Sequence, residues 1–257
     1  MTAVPILADF VIRLSFGLSI AALLISWRAV PMPFFRTQAQ VILGLLVLGA
    51  LVQARSAGQS LALWGVIAAA VSSYLSCVSW GLGLPRLGIK TLGAVALLTT
   101  AWLIDVSSST DWRIWASNGS GRMTSGLLLG VTLTAMLLGH YYLTAPSMST
   151  EPLRRVVLWI AVALVARCVL AGISLGISQL GLLDPAPAPA AVHSGLFLSA
   201  RWGMGFLGTA VATYLTWKTV EIRSTQSATG ILYITMIFVL FGELTSLILA
   251  GYGGILC

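Results

Sequence analysis

The chain has 257 residues, of which 58% are hydrophobic and only 8% are charged. A soluble domain carries about 25% charged residues, so this composition excludes a soluble globular protein and is typical of an integral membrane protein. The formal net charge is +7, but the basic residues stand singly or in pairs in short polar segments. This pattern favours topology signals over a nucleic-acid-binding surface.

Eight apolar runs follow one another along the chain and predict eight membrane-spanning helices of about 20 residues each. The predicted spans are 5–27, 37–53, 61–84, 91–104, 123–144, 156–180, 196–218 and 229–251. The whole chain, 1–257, is therefore predicted to be one all-α, multi-pass membrane domain with the lipid bilayer as its main partner.

Three of the predicted connections have distinctive compositions. The longest, 105–122, contains the turn signal Asn118-Gly119. The loop 183–195 alternates proline with alanine, so we expect a stiff, extended connector. A polar hairpin, 218–229, joins the last two spans.

The basic residues outside the spans predict the orientation in the membrane. The connections after the odd-numbered spans carry eight of them: Arg28, Arg36, Arg86, Lys90, Arg154, Arg155, Lys218 and Arg223. The termini and the other connections carry three: Arg55, Arg113 and Arg122. Because basic residues are enriched in cytoplasmic loops, the odd connections are predicted to be cytoplasmic and both termini outside. The short loops, and an N-terminus unlike a cleavable signal peptide, favour a bacterial inner membrane.

The two halves of the chain resemble each other. The matched segments are Trp64-Gly65 with Trp202-Gly203, 70–76 with 210–216, and 17–24 with 130–137. Between the first two matches the second half carries two additional residues. The pattern predicts a duplication of four helices, 1–110 and 123–257, and an even number of spans makes the two repeats parallel. The alternative is a chance similarity between spans rich in alanine and leucine.

Four of the predicted spans carry charges in their interior: Arg13, Arg167, Arg201 and Glu243. A charge inside a membrane helix costs at least ~2.5–3.5 kcal/mol, so it usually marks a site, a pathway or a buried pair. At ~1.5 Å per residue, these four charges fall within about two helical turns of one another in the outer half of the membrane. Asp9 lies one turn before Arg13 and can pair with it.

A structural interpretation of these charges is that they form ion pairs that fix helix packing. The candidates are Asp9, Arg13, Arg201 and Glu243. In one version, Arg13 and Arg201 extend to the membrane interface while Arg167 pairs with Glu243.

A functional interpretation is that the same charges bind a ligand. The spans contain three arginines but only two carboxylates, Asp9 and Glu243. A guanidinium group needs acceptors for its five donors, and an anion can supply them. The candidate residues for an anionic headgroup or a quinone are Arg13, Arg167, Arg201, Glu243 and His140.

Histidine and cysteine positions bear on metals and haem. His140 and His193 are predicted on opposite sides of the membrane, so they do not form a bis-histidine haem site. Cys77, Cys168 and Cys257 have neither disulfide nor metal-ligand spacing. We therefore expect no metal, and no cofactor bound by this chain alone; the expected ligands are a quinone or a lipid.

No hydrolase, kinase or nucleotide-binding motif is present, so we expect no catalytic activity of the chain's own. The favoured function is a membrane subunit of a larger respiratory or redox complex linked to quinones. Two four-helix halves with both termini outside also occur in quinol-interacting subunits, an analogy of architecture alone. The alternatives are a small transporter or lipid translocator for an anionic substrate, and a purely structural membrane subunit.

Overall fold

The computed structural model describes residues 3–57, 60–107, 112–145, 148–179 and 199–251. All regular secondary structure within these ranges is helical. The helices are α1 Ala3–Leu24, α2 Met32–Ala57, α3 Leu61–Gly81, α4 Pro85–Val106, α5 Trp112–Thr144, α6 Glu151–Gln179, α7 with a π-helical part Arg201–Gly208 and an α-helical part Thr209–Glu221, and α8 Thr225–Gly251.

Seven of the described helices, all except α7, are long and apolar enough to cross a membrane. The prediction of an all-helical, multi-pass membrane protein is therefore confirmed. The two parts of α7 have 8 and 13 residues and follow each other without a break, so α7 as a whole is as long as α3, with 21 residues.

Several predicted boundaries are wrong. Helix α5 begins at Trp112, so the Asn118-Gly119 turn predicted in the loop 105–122 is helical instead. Local turn propensity is a weak preference that tertiary contacts override, and the added helical turns bring Arg122 beside Ser107. Helices α2, α6 and α8 begin four or five residues before their predicted starts, whereas α1 and α3 each end three residues before their predicted ends.

The connections between α3 and α4 and between α7 and α8 are shorter than predicted. Helix α4 begins at Pro85, six residues before the predicted start, because proline is well suited to the first turn of a helix. Only residues 222–224 separate α7 from α8, so the predicted hairpin 218–229 is mostly helical. The proline-alanine loop 183–195 lies outside the described residues.

Helices α1 and α5 form the centre of the bundle. Helix α1 packs against α2, α4 and α5 and touches α8, whereas α5 packs against α6 and α8 and touches α4. In α1 and α5, 67% and 61% of the most apolar stretch is buried inside the protein, against 33–50% in the other five membrane-length helices. The remaining helices surround this pair, α2–α4 on one side and α6–α8 on the other.

The two central helices cross at glycines. A Cβ atom added to Gly17 of α1 would overlap the carbonyl oxygen of Gly126 and lie 2.9 Å from the Cα of Gly130, both on α5. Small residues allow membrane helices to approach this closely, because packing contacts rather than hydrophobic burial drive their association.

A second glycine contact joins α7 to α8. A Cβ added to Gly205 would lie 2.8 Å from the Cα of Gly242. Gly205 belongs to the π-helical part of α7, and π-helical turns are rare in proteins and frequent at functional sites. This contact brings the π-helical part beside Glu243, the residue that follows Gly242.

The turns between α3 and α4 and between α7 and α8 have the same geometry. Each has three residues, and the middle one has a positive φ, 72° at Gly83 and 57° at Arg223. In each turn the N–H of the third residue donates to the carbonyl five residues earlier, at 2.9 and 3.0 Å. Both helix pairs therefore reverse direction in the same way.

Gly17→Ala is expected to destabilise the chain, because the methyl group would collide with the backbone of α5. Overpacking of a tight contact costs about 1–3 kcal/mol or more. The matched control is Gly93→Ala in α4, where nothing lies within 4 Å of the added methyl group. Thermal unfolding in detergent, followed by circular dichroism, measures both variants; equal midpoints would contradict the close crossing of α1 and α5.

Candidate functional site

The charged residues of the spans meet inside the bundle, where five helices come together. We call this group the buried charge cluster. It consists of Asp9 and Arg13 of α1, Arg122 of α5, Arg167 of α6, Arg201 of α7 and Glu243 of α8.

The ion pair between Arg167 and Glu243 joins α6 to α8 within the cluster. The Nε and Nη2 atoms of Arg167 donate to the two carboxylate oxygens of Glu243, each at 3.0 Å. Nη2 also donates to the hydroxyl of Ser246 at 3.1 Å. The two charged side chains are only 3% and 4% exposed. Paired, bidentate hydrogen bonds of this kind add geometric specificity to their strength, so they fix α6 against α8 and confirm the predicted Arg167–Glu243 pair.

Asp9 joins α1 to α5. Its carboxylate accepts a hydrogen bond from Arg13, one turn along α1, so the predicted Asp9–Arg13 pair is confirmed. Its other oxygen lies 3.8 Å from the Nε of Arg122. Arg122 in turn reaches the hydroxyl of Ser107, 3.4 Å from its Nη1.

Arg122 is the member of the cluster that the sequence did not reveal. The Asn118-Gly119 turn signal assigned it to a loop outside the membrane. One signal was available: Arg122, Gly126 and Gly130 are spaced four residues apart, so a helix extended towards its N-terminus carries all three on the same face.

Arg201 lies at the other side of the cluster, on the π-helical part of α7. Its side chain is 1% exposed, and its guanidinium lies 5.4 Å from the ring centre of Phe206. Arg201 and Glu243 line the same small void, and they lie within electrostatic range of each other. The described side chains around that void leave no room for a water molecule.

The version in which Arg13 and Arg201 extend to the membrane interface is wrong, because the two residues are 4% and 1% exposed. Both guanidinium groups stay inside the bundle. Removing charges from water costs several kcal/mol per ion unless partners compensate, so the arrangement of the cluster constrains all five helices that contribute to it.

The described part of the cluster carries more positive than negative charge. It holds four guanidinium groups and two carboxylates. The ion pairs of the cluster hold its helices together.

His140 does not join the cluster. It lies eighteen residues after Arg122 on α5, about 27 Å along the helix axis. Its Nδ1 lies 3.4 Å from the hydroxyl of Tyr233, at an exposed position. His193 lies outside the described residues. Within the described ranges, no three His, Cys, Asp or Glu side chains form a group that could hold a metal.

A long apolar recess, which we call the α6–α7 groove, lies on the outer surface of the bundle. It consists of two adjoining cavities of about 330 and 410 Å³. The two share Leu164 and Val165 of α6 and Ala210 of α7. The groove reaches from Trp217 at one end to Trp202 at the other. It is large enough for a chain-like ligand, unlike the void in the cluster.

No protein-family model, characterised protein or solved structure matches this chain. Its residues and their contacts are therefore the basis for a functional proposal.

Glu243→Gln is expected to destabilise the chain by about 3–5 kcal/mol, because it leaves the charge of Arg167 buried without its carboxylate. Replacing both Arg167 and Glu243 with Met should recover most of the loss, since an apolar pair of similar size packs without uncompensated charge.

The matched control is Glu151→Gln. Glu151 pairs with Arg155 at 2.8 Å, but both side chains are more than half exposed, so this variant should cost no more than about 1 kcal/mol. Thermal unfolding in detergent compares the variants. Equal losses for Glu243→Gln and Glu151→Gln would show that the buried pair does not hold α6 to α8.

Proposed function

We propose that this chain is a non-catalytic integral membrane subunit of a larger membrane assembly, and that it binds a lipid or a quinone from the bilayer. One observation carries the proposal. The interior cluster is filled by protein side chains, whereas the recess large enough for a chain-like ligand, the α6–α7 groove, is on the outer surface. Lipids and quinones approach such a groove sideways, within the membrane plane. The link to a respiratory or redox assembly rests on architecture alone.

The chain is, in this proposal, a pair of parallel four-helix repeats, 1–110 and 123–257. Gly17 and Gly130, which match in sequence, face each other where α1 crosses α5. The contacts of the two halves also correspond: α1 touches α8, and α5 touches α4. Contact between equivalent residues is the relation expected of two repeats around an axis along the membrane normal.

Two further features support the repeat. The turns after α3 and after α7 have the same length, backbone hydrogen bonds and positive φ. The sequences of α3 and α7 match only if α7 carries two additional residues, and these fall in the π-helical part Arg201–Gly208. A π-helix has more residues per turn than an α-helix because its hydrogen bonds span five residues, so it accommodates such an insertion.

In the proposed repeat, Arg201 and Glu243 have apolar counterparts in the first half. With Trp64 aligned to Trp202, Arg201 corresponds to Leu63. With the two turns aligned, Glu243 corresponds to Leu103. Both leucines are buried in the first half, where the same helices pack without charge. Apolar residues usually stabilise a core as well as a buried ion pair does, so we infer that the charges of the second half specify how its helices pack.

A second candidate function is transport of an anionic substrate or translocation of an anionic lipid. The excess of guanidinium groups over carboxylates in the described cluster favours it. In that case the void between Arg201 and Glu243 would have to open during the transport cycle, since it has no room for a water molecule.

The proposed location is the bacterial inner membrane, with the odd connections in the cytoplasm and both termini outside. Arg28 follows α1, Arg86 and Lys90 are at the start of α4, and Arg154 and Arg155 are at the start of α6. These positions lie at one end of the bundle, as the positive-inside rule requires of a cytoplasmic face.

Purification from native membranes in mild detergent, followed by native mass spectrometry, is expected to find this chain with at least one other membrane subunit in fixed stoichiometry. A haem or iron–sulfur absorbance in the purified assembly would support the redox link. A lone monomer or homodimer at every detergent concentration would contradict the proposal.

The two candidate functions differ in proteoliposomes. The isolated chain is expected not to move a fluorescent anionic phospholipid between leaflets, because the void between Arg201 and Glu243 has no room even for a water molecule. Translocation by the wild-type chain above the rate of protein-free liposomes would favour the second candidate instead.

A further inference from the structure

Helices α2 and α3, the equivalents of α6 and α7 in the proposed repeat, pack against each other more closely than α6 and α7 do. Every buried position in residues 34–53 of α2 has a buried counterpart in residues 152–171 of α6, so the two helices align residue by residue. The alignment identifies which contacts of α2 and α3 are missing between α6 and α7.

A direct hydrogen bond holds α3 to α2. The hydroxyl of Ser73 donates to the carbonyl of Ala39 at 2.9 Å. The corresponding residues of the second half are Thr213 and Val157, and both line the α6–α7 groove. The hydroxyl of Thr213 donates instead to Thr209 on its own helix, at 2.7 Å. The groove therefore lies at the position where, in the first half, a hydrogen bond joins the two equivalent helices.

The groove has the length of a lipid chain. Its α6 wall extends from Val157 to Val169, which is about 18 Å of helix. One leaflet of a bilayer has about 15 Å of hydrocarbon. Most of the wall is apolar, and several of its residues are exposed, including Val165 at 62%, Leu207 at 65% and Tyr214 at 61%. An acyl chain entering from one membrane face would run the full length of the groove.

A basic and aromatic group marks one end. The guanidinium of Arg154 lies 4.8 Å from the ring centre of Trp217, which lines the groove. The neighbouring cations are paired with carboxylates: Arg155 with Glu151 at 2.8 Å, and Lys218 with Glu221 at 3.0 Å. Within the described part of the chain, Arg154 has no carboxylate at salt-bridge distance, although Glu221 is within electrostatic range.

This end suits the head of an anionic lipid. Tryptophan is enriched at the level of lipid headgroups, and a basic residue beside the membrane surface attracts anionic lipids. Guanidinium groups bind phosphate through paired hydrogen bonds. A quinone head, which is neutral, gains less from an arginine at the mouth of the groove.

We propose that the α6–α7 groove binds one acyl chain of an anionic phospholipid, whose phosphate contacts Arg154. This inference rests on the proposed function, since it names the ligand of the bilayer-facing surface. The bound lipid fills the gap between α6 and α7 and completes the packing of the second half.

Native mass spectrometry of the purified chain tests the proposal with two probes, phosphatidylglycerol and phosphatidylcholine with identical acyl chains. The wild-type chain is expected to retain one phosphatidylglycerol with at least fivefold preference over phosphatidylcholine. Ala210→Phe should lower retention of phosphatidylglycerol at least tenfold, because the ring fills the groove. The matched control is Val211→Phe, at the next residue, which is exposed to the bilayer but does not line the groove.

The headgroup contact is tested separately. Arg154→Gln should abolish the preference for phosphatidylglycerol, and it replaces an exposed side chain, so folding is not at risk. Arg36→Gln is the control, because Arg36 is the exposed counterpart of Arg154 on α2. It should retain the wild-type preference.

Three outcomes would overturn the inference: equal retention of both lipids by the wild-type chain, equal effects of Ala210→Phe and Val211→Phe, or equal effects of Arg154→Gln and Arg36→Gln. A groove that retains added ubiquinone in place of phosphatidylglycerol would also overturn it. These measurements use the isolated chain, so a negative result for lipid binding does not depend on whether partner subunits are found.

Discussion

The ion pair between Arg167 and Glu243 is the interaction on which the second half of this protein depends. Both side chains are withdrawn from solvent, and each finds its opposite charge in a bidentate contact at 3.0 Å. In a medium without water, a charge without such a partner is costly. The pair therefore fixes the relative orientation of α6 and α8. Arg201 lines the same void as Glu243, so its surroundings are fixed as well. Asp9 does the same for α1 and α5, through Arg13 and Arg122.

The two halves meet this constraint differently. In the proposed repeat, leucines of the first half occupy the positions that correspond to Arg201 and Glu243, and a hydrogen bond from the hydroxyl of Ser73 joins α3 to α2. In the second half, the π-helical part of α7 and the charges share one region, and α6 and α7 leave a groove between them. In the proposed duplication, the first half is the packed scaffold and the second half has acquired the features that recognise other molecules.

Much of the fold could be predicted from the sequence, because the thickness of a bilayer sets the length of an apolar helix. The pairs Asp9–Arg13 and Arg167–Glu243 could be predicted too, the first from helical spacing and the second from matching depth. The turn preference of Asn118-Gly119 gave the wrong location for Arg122, because that preference is local, whereas the contacts of α5 in this region come from α1 and α4.

In the sequence, the π-helical part of α7 corresponds only to the two additional residues in the second half of the proposed repeat. No sequence feature predicts the α6–α7 groove, because the groove depends on how far apart two helices pack. That distance is decided by contacts between residues distant in the sequence, such as Ser73 with Ala39, and no local pattern encodes their absence in the second half.

We propose that ligands of this protein bind at its bilayer-facing surface while the void between Arg201 and Glu243 stays closed. A cryo-electron microscopy structure in nanodiscs containing phosphatidylglycerol would show both regions at once. We expect a continuous, chain-shaped density between α6 and α7 that ends at Arg154, with no density other than protein between Arg201 and Glu243. An empty groove, together with an anion bound between Arg201 and Glu243, would contradict it.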